Sequence, residues 1–308
     1  MVQTKVTGFG SGLVKFCMRL FMAQIHQDFS SLPGKVLFSH TESDVYQPVF
    51  HIYEQDGARY IITRGTTDIN DFVSDIEMKE INTSYGTFHT GFYKSALYIY
   101  QYAFAYIKGF TGPIYFVGHS MGGAISTLLH IIFSTELPNQ DFNCMAYAPV
   151  PTADEGLNQT YSDKIVVFVN NDDIVPTLSI PNMYYLLKKV DPLINYSPRN
   201  VIIAIFKGIM SVVEKVTHVF TQQIYDALIK DFPDDIDSLL DYGKGAVRTV
   251  RYPLGIVIGV SKSKSIPMDQ AIIDPIADYS ILRVTFTSIS DHLPDNYEEA
   301  INNIPDDQ

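Results

Sequence analysis

Cysteine is scarce in this chain of 308 residues: only Cys17 and Cys144 occur, far apart and among apolar neighbours. That excludes a disulfide-built scaffold and predicts two buried free thiols in a reducing compartment. Positive charge is short as well. Against 34 acidic residues stand 22 lysines and arginines, a net charge of −12. Nothing here would neutralise a run of phosphates, so a nucleic-acid partner is excluded. The same balance disfavours electrostatic adhesion to an anionic membrane, and any membrane contact has to be apolar. Long uncharged hydrophobic runs are missing too. The first apolar stretch, Leu13 to Ala23, is interrupted by Lys15 and Arg19, and no small-residue cleavage site follows it. The expected location is cytoplasmic, with peripheral membrane association left to apolar surface. No histidine pair or cysteine cluster has metal-ligand spacing, and no P-loop is present. The glycines at Gly8, Gly10 and Gly12 neither spell G-x-G-x-x-G nor follow a strand. Neither a metal nor a cofactor is expected.

What is present is apolar material for a sizeable core, with 46% hydrophobic and 18% charged residues. Leu13 to Phe29 has the spacing of an amphipathic helix, ended by the turn at 30–34. Short strand-like runs follow at Lys35–Ser39, Pro48–Tyr53 and Arg59–Arg64, the last two joined by the hairpin signal Asp56-Gly57. Gly91 to Tyr106 reads as a helix, Ile114–Val117 as a buried strand and Ala124 to Phe133 as a second helix. Phe142–Tyr147 and Lys164–Asn170 are further strands. Alternating strands and helices predict a mostly parallel sheet covered on both faces. Pro181 to about Gly245 reads as helical without a strand. Strands return at Tyr252–Val260 and Ile281–Thr287, and a short acidic helix starts at Asp295. The expectation is a single α/β domain over 1–308, with a helical insertion at 181–245.

Within that frame Gly118, Ser120 and Gly122 spell G-x-S-x-G, with Gly123 extending it. The motif follows the strand Ile114–Val117 and opens the helix from Ala124, the strand–turn–helix setting of a nucleophile elbow. Glycines flanking the serine let a strained turn pass without side-chain clash. A serine nucleophile needs a general base, and the base an orienting acid. Two histidines follow both Ser120 and a plausible acid. His218 lies on the polar stripe of an insertion helix, whereas His292 lies in a loop after the last strand, from which it can reach the elbow; His292 is favoured. For the acid, strand Lys164–Asn170 runs into Asp172 and Asp173, and spacing alone does not separate them.

Five segments together resemble the class 3, or fungal-type, lipases: Tyr60 to Thr66, His89 to Ala96, Gly118 to Gly123, Asp173 to Pro176, and Asp291-His292. They occur in that family's order over roughly 60–300. The late segments Tyr252 to Ile258 and Asp291 to Tyr297 look most like the diacylglycerol-lipase branch. The resemblance implies the α/β-hydrolase fold and places the acid on Asp173. It implies an oxyanion hole built from the backbone N–H of Met121 and from Thr66, and a structural role for His89. It also implies ester hydrolysis of acylglycerol lipids through an acyl-enzyme on Ser120, without a cofactor. A phospholipase A1 or a soluble short-chain esterase would use the same machinery. A catalytically silent lipase-like binding protein is the alternative from another class, and the filling of all three positions speaks against it.

Asp71-Phe72 stands where secreted members of that family carry a tryptophan, so the insertion rather than Thr67–Ile76 is the candidate cap. Between Asn200 and Phe220 the polar or small residues fall three or four apart and leave a wide apolar face that includes Phe206 and Ile209. Such a face packs as core, or covers the acyl site and opens against a membrane or lipid droplet.

Overall fold

The computed structural model describes residues 9–65, 80–179, 182, 251–271, 273–280, 285, 287, 288 and 290–307. The strands are β1 (Lys35–His40), β2 (Phe50–Gln55), β3 (Ala58–Thr63), β4 (Glu80–Thr83), β5 (Gly86–His89), β6 (Ile114–His119), β7 (Phe142–Tyr147), β8 (Ile165–Asn170) and β9 (Ile256–Val260). The helices are α1 (Ser11–His26), α2 (Thr90–Ile107), α3 (Met121–Glu136), α4 (Glu155–Tyr161) and α5 (Pro294–Asn302).

A 7-stranded sheet runs in the order β1-β2-β3-β6-β7-β8-β9. The first three strands pair antiparallel and the rest parallel. The β2–β3 turn puts Asp56 at φ 49° and Gly57 at φ 74°. Two successive left-handed residues make the tight hairpin that Asp-Gly favours, because its twist matches the flanking strands. Strands β7 and β8 are buried at every position, as continuous apolar strands covered on both faces must be. Alternation then divides β8 between two cores. Val167 and Val169 face the side covered by α2 and α3, among Phe116, Leu128 and Phe133. Val166 and Phe168 face the side covered by α1 and α5, among Met18, Tyr147 and Ile301. Each such large side chain, fully buried, contributes about 1.5–3 kcal/mol before entropy is counted. This doubly covered, mostly parallel sheet with its strand–elbow–helix crossing at β6–α3 is the α/β-hydrolase fold.

The differences from the sequence expectations have local causes. Helix α1 stops at His26 rather than Phe29, because Gln27 turns left-handed at φ 53° and closes the last turn on Ala23 and Gln24. Strand β6 runs two residues past Val117, and α3 starts at Met121, so the paired glycines lie inside its first turn. Strand β9 starts only at Ile256; ahead of it Pro253 and Gly255, at φ 138°, leave the extended ladder. The β4–β5 hairpin and α4 were not expected. The hairpin is held locally by Thr83, whose hydroxyl donates to the Gly86 carbonyl at 2.8 Å and accepts the Tyr85 N–H at 3.1 Å. The strand expected at Ile281–Thr287 lies mostly outside the described residues; Thr285 and Thr287 are described and are not in a strand. The insertion expected at 181–245, with Phe206, Ile209 and His218, lies outside them except for Asn182. That buried asparagine accepts the Arg251 N–H at 3.0 Å and donates to the Arg251 and Thr177 carbonyls at 2.9 and 3.1 Å. The chain on either side of 183–250 is thus tied at one point.

Both cysteines are free and buried, one in each core. Burial pushes both thiols up. Among the described residues no helix is long and apolar enough to cross a membrane.

Candidate active site

Strand β6 ends at His119, and α3 begins two residues later. Ser120, between them, adopts φ 57° and ψ −127°, a conformation that costs a side-chain-bearing residue roughly 1–3 kcal/mol. The surroundings enforce it. The Ser120 N–H donates to the Tyr147 carbonyl at 2.9 Å, and its own carbonyl accepts from Ala124 at 3.1 Å. The crossing also requires two glycines. A Cβ on Gly118 would lie 2.3 Å from the Gly122 oxygen, and one on Gly122 would lie 2.4 Å from the Thr63 oxygen. Residues 118 and 122 are therefore glycine for space, and the serine hydroxyl stands at the carboxyl edge of the sheet.

Two residues distant in sequence meet it there. His292 ends a short 3-10 turn, Ser290–His292, and its Nε2 lies 3.0 Å from Ser120 Oγ. Its Nδ1 lies 2.9 Å from Asp173 Oδ2 and 3.2 Å from Oδ1. With the proton on Nδ1 donated to Asp173, Nε2 is left as acceptor for the Ser120 hydroxyl. The Asp173 side chain is fully buried, and a buried carboxylate needs its lone pairs filled. Here the Tyr297 hydroxyl donates to Oδ2 at 2.6 Å and the Val175 N–H to Oδ1 at 2.9 Å. Beyond β8, Asn171 turns left-handed at φ 47°. Asp173 follows it inward, and Asp172 is left exposed.

The end of β8 also grips the histidine loop. Asn170 Nδ2 donates to the Asp291 carbonyl at 3.0 Å, and Asn171 Nδ2 reaches the Asp291 carboxylate at 3.3 Å. From the other side His119 Nε2 donates to the His292 carbonyl at 2.9 Å, with the two rings 4.6 Å apart. Burial first, and then the neighbouring His292 ring, hold the His119 imidazole well below the usual histidine range, against the pull of that hydrogen bond. His119 is therefore neutral and carries its proton on Nε2. Tyr297, itself buried, accepts the Asn170 N–H at 3.0 Å while donating to Asp173. Burial, followed by the Asp173 charge, pushes its phenol well above the usual range, so it stays a donor. Sequence reasoning assigned nothing to His119, Asn170 or Tyr297. The available signals were weak: His119 is the unspecified position of the serine motif, and Tyr297 sits on the buried face of a short acidic helix.

Of the residues expected at the site, the structure brings Ser120, His292 and Asp173 into one hydrogen-bonded chain, and Met121 stands next to them as the first residue of α3. Thr66 lies outside the described residues. Its neighbour Gly65 runs against the elbow, where an added Cβ would be 2.7 Å from the His119 oxygen and 3.4 Å from Ser120 Cβ. His89 packs its ring on Phe92, with centroids 4.4 Å apart. A cavity of about 390 Å³ opens beside the elbow, with Gly65 and Met121 in its wall. Among the described residues no group of histidines, cysteines or carboxylates is arranged to hold a metal ion.

The structure is similar to several solved lipases. One is the triacylglyceride lipase of Rhizomucor miehei, with 18% identity, a TM-score of 0.48, and coverage of 54% of this chain and 73% of that one. A triacylglycerol lipase from Penicillium expansum gives 18%, 0.46, 53% and 70%. The Lip2 lipase from Yarrowia lipolytica gives 16%, 0.46, 54% and 73%. No curated protein matches the sequence. Residues 60–183 match the family model of the class 3 lipases, so the stretch carrying both the elbow and Asp173 is similar to that family.

Proposed function

We propose that this chain is a serine carboxylic-ester hydrolase acting on acylglycerol lipids, of the diacylglycerol-lipase type. One observation carries the reading: a serine on a strained strand–helix elbow, 3.0 Å from a histidine Nε2 whose Nδ1 is 2.9 Å from a buried aspartate. In this reading His292 takes the Ser120 proton as Oγ attacks the ester carbonyl. Asp173 keeps the proton on Nδ1 and stabilises the imidazolium that forms. The Met121 N–H and Thr66 would receive the oxyanion, each donor contributing on the order of 3 kcal/mol in the transition state. His292 then protonates the leaving alcohol, and water releases the acid by the same steps in reverse. Leu293, next to His292, and Val45, on the cavity wall, are 44% and 65% exposed and offer apolar contact to a lipid surface. With a net charge of −12, adhesion to a membrane or lipid droplet would rest on such contact.

The test is labelling by a fluorophosphonate, followed by turnover on mono-, di- and triacylglycerols, phospholipids and a soluble short-chain ester. Ser120 should carry the label, Ser120→Ala should lose labelling and all turnover, and the diacylglycerol should be the best neutral substrate. A native chain that neither labels nor hydrolyses any ester is a silent binding protein, and the proposal then fails.

A further inference from the structure

Several polar side chains in the wall of the cavity beside Ser120 have no partner among the described residues, and two of them, Ser95 and Arg64, are withdrawn from solvent. Ser95, on α2, is only 6% exposed and lines this cavity, yet its hydroxyl makes no hydrogen bond there. Some helical hydroxyls fold back on their own helix, as Thr127 does to Ala124 at 2.7 Å and Thr135 to Ile131 at 2.9 Å, whereas the buried Ser126 hydroxyl, away from this cavity, makes no such bond. Arg64, immediately after β3, is half-buried and lines the same cavity. Its backbone N–H is used, donating to Val49 at 2.9 Å, but no described carboxylate stands within ion-pair distance of its guanidinium. Burial lowers its pKa from the usual arginine value without an opposing partner. A half-buried guanidinium without a partner is open to pair with an anion that enters the cavity. Asp44 also lines the cavity, but it is exposed and its carboxylate receives the adjacent Val45 N–H at 2.7 Å.

An acyl chain would strip water from these groups without replacing their hydrogen bonds. A guanidinium and a hydroxyl in the wall of one cavity suit a phosphate, which arginine takes by paired, charge-assisted hydrogen bonds. We propose that this cavity receives the departing alcohol of the substrate and that Arg64 and Ser95 hold a phosphate on it. A glyceride with an anionic phosphate headgroup is then preferred over the neutral glyceride with the same acyl chains. This rests on the reading of Ser120 as the nucleophile, and it names the side of the site that selects the substrate.

The experiment uses the full chain and hydrolysis of p-nitrophenyl butyrate, with sn-glycerol 3-phosphate, inorganic phosphate or glycerol as competitor. Glycerol 3-phosphate should compete, glycerol should not, and inorganic phosphate should compete more weakly. Arg64→Gln should raise the inhibition constant of glycerol 3-phosphate about tenfold, equivalent to ~1.4 kcal/mol, with partial recovery in Arg64→Lys. Ser95→Ala should raise it by a smaller factor, and this variant carries the test if Arg64→Gln does not fold. The ratio of phosphatidate to diacylglycerol turnover should fall in the same order. Equal competition by glycerol and glycerol 3-phosphate, or an inhibition constant unmoved in folded Arg64→Gln, would overturn the assignment. Inorganic phosphate competing as well as glycerol 3-phosphate would assign the cavity to the free ion and overturn the headgroup. If the native chain leaves p-nitrophenyl butyrate intact, the hydrolase reading fails on its own. Calorimetric titration of Ser120→Ala with glycerol 3-phosphate then decides the cavity separately, and absence of heat overturns it.

Discussion

Replacing Asp173 by asparagine exchanges one oxygen for an amide group at a point where three donors converge. Oδ2 accepts from His292 Nδ1 at 2.9 Å and from the Tyr297 hydroxyl at 2.6 Å, and Oδ1 accepts from the Val175 N–H at 2.9 Å. If the asparagine oxygen takes the Oδ2 position, its NH₂ faces the Val175 N–H. If the group is flipped, the NH₂ faces Tyr297 and His292. Either way at least one buried donor loses its acceptor, at a cost of about 1–3 kcal/mol of stability. The flipped amide also drives the imidazole proton to Nε2, where it can no longer accept from Ser120. Loss of the correct tautomer should lower kcat/KM by on the order of 10⁴, or ~5.5 kcal/mol of transition-state stabilisation. Asp172→Asn alters an exposed side chain and leaves intact the backbone N–H that faces Asp291 at 3.4 Å. It should change stability by no more than about 0.5 kcal/mol and leave turnover nearly unchanged. Steady-state hydrolysis of a soluble ester and urea unfolding, run on both variants, measure the two quantities. If Asp172→Asn proves as damaging as Asp173→Asn, the orientation set by the turn after β8 is not what positions His292.

Three further outcomes are expected. Ser120→Gly should abolish ester turnover yet melt no lower than the native chain, since glycine takes φ 57° without the strain paid by serine; a lower melting temperature would show that the elbow is unstrained. Tyr297→Phe removes a hydroxyl that donates to Asp173 and accepts from Asn170. Urea unfolding should show a loss of about 2–4 kcal/mol, and kcat should fall with KM nearly constant; unaltered stability would mean that water replaces the hydroxyl. Burial lowers His130 from 6.5 to about 4, so between those values the unfolded chain binds the extra proton and stability falls as pH falls. The loss from this residue reaches about 3 kcal/mol at pH 4. His130→Leu should therefore unfold with a shallower pH dependence than the native chain over that window, and parallel profiles would refute the assignment.

What was legible in the sequence was local. The elbow could be read from Gly118 to Gly123 because its requirements lie within a few residues: a strand before it, a helix after it, and no side chain where the backbone crosses. The β2–β3 turn at Asp56-Gly57 was legible for the same reason. Composition and alternation gave the buried parallel strands, since β7 and β8 carry apolar residues on both faces. Residues alone, without the family resemblance, left Asp172 and Asp173 equivalent, because both sit in one polar turn. Only the left-handed step at Asn171 turns one inward and leaves the other exposed. Pairing Ser120 with His292 spans a sequence separation of 172, and Tyr297 with Asp173 one of 124. Neither has a local signature. Backbone preference is decided by neighbours within a turn or two, whereas the partner of a buried donor is decided by which segments the sheet and its covering helices bring together. His119, Asn170 and Tyr297 became visible only when α1, α5 and the end of β8 had closed around His292 and Asp173.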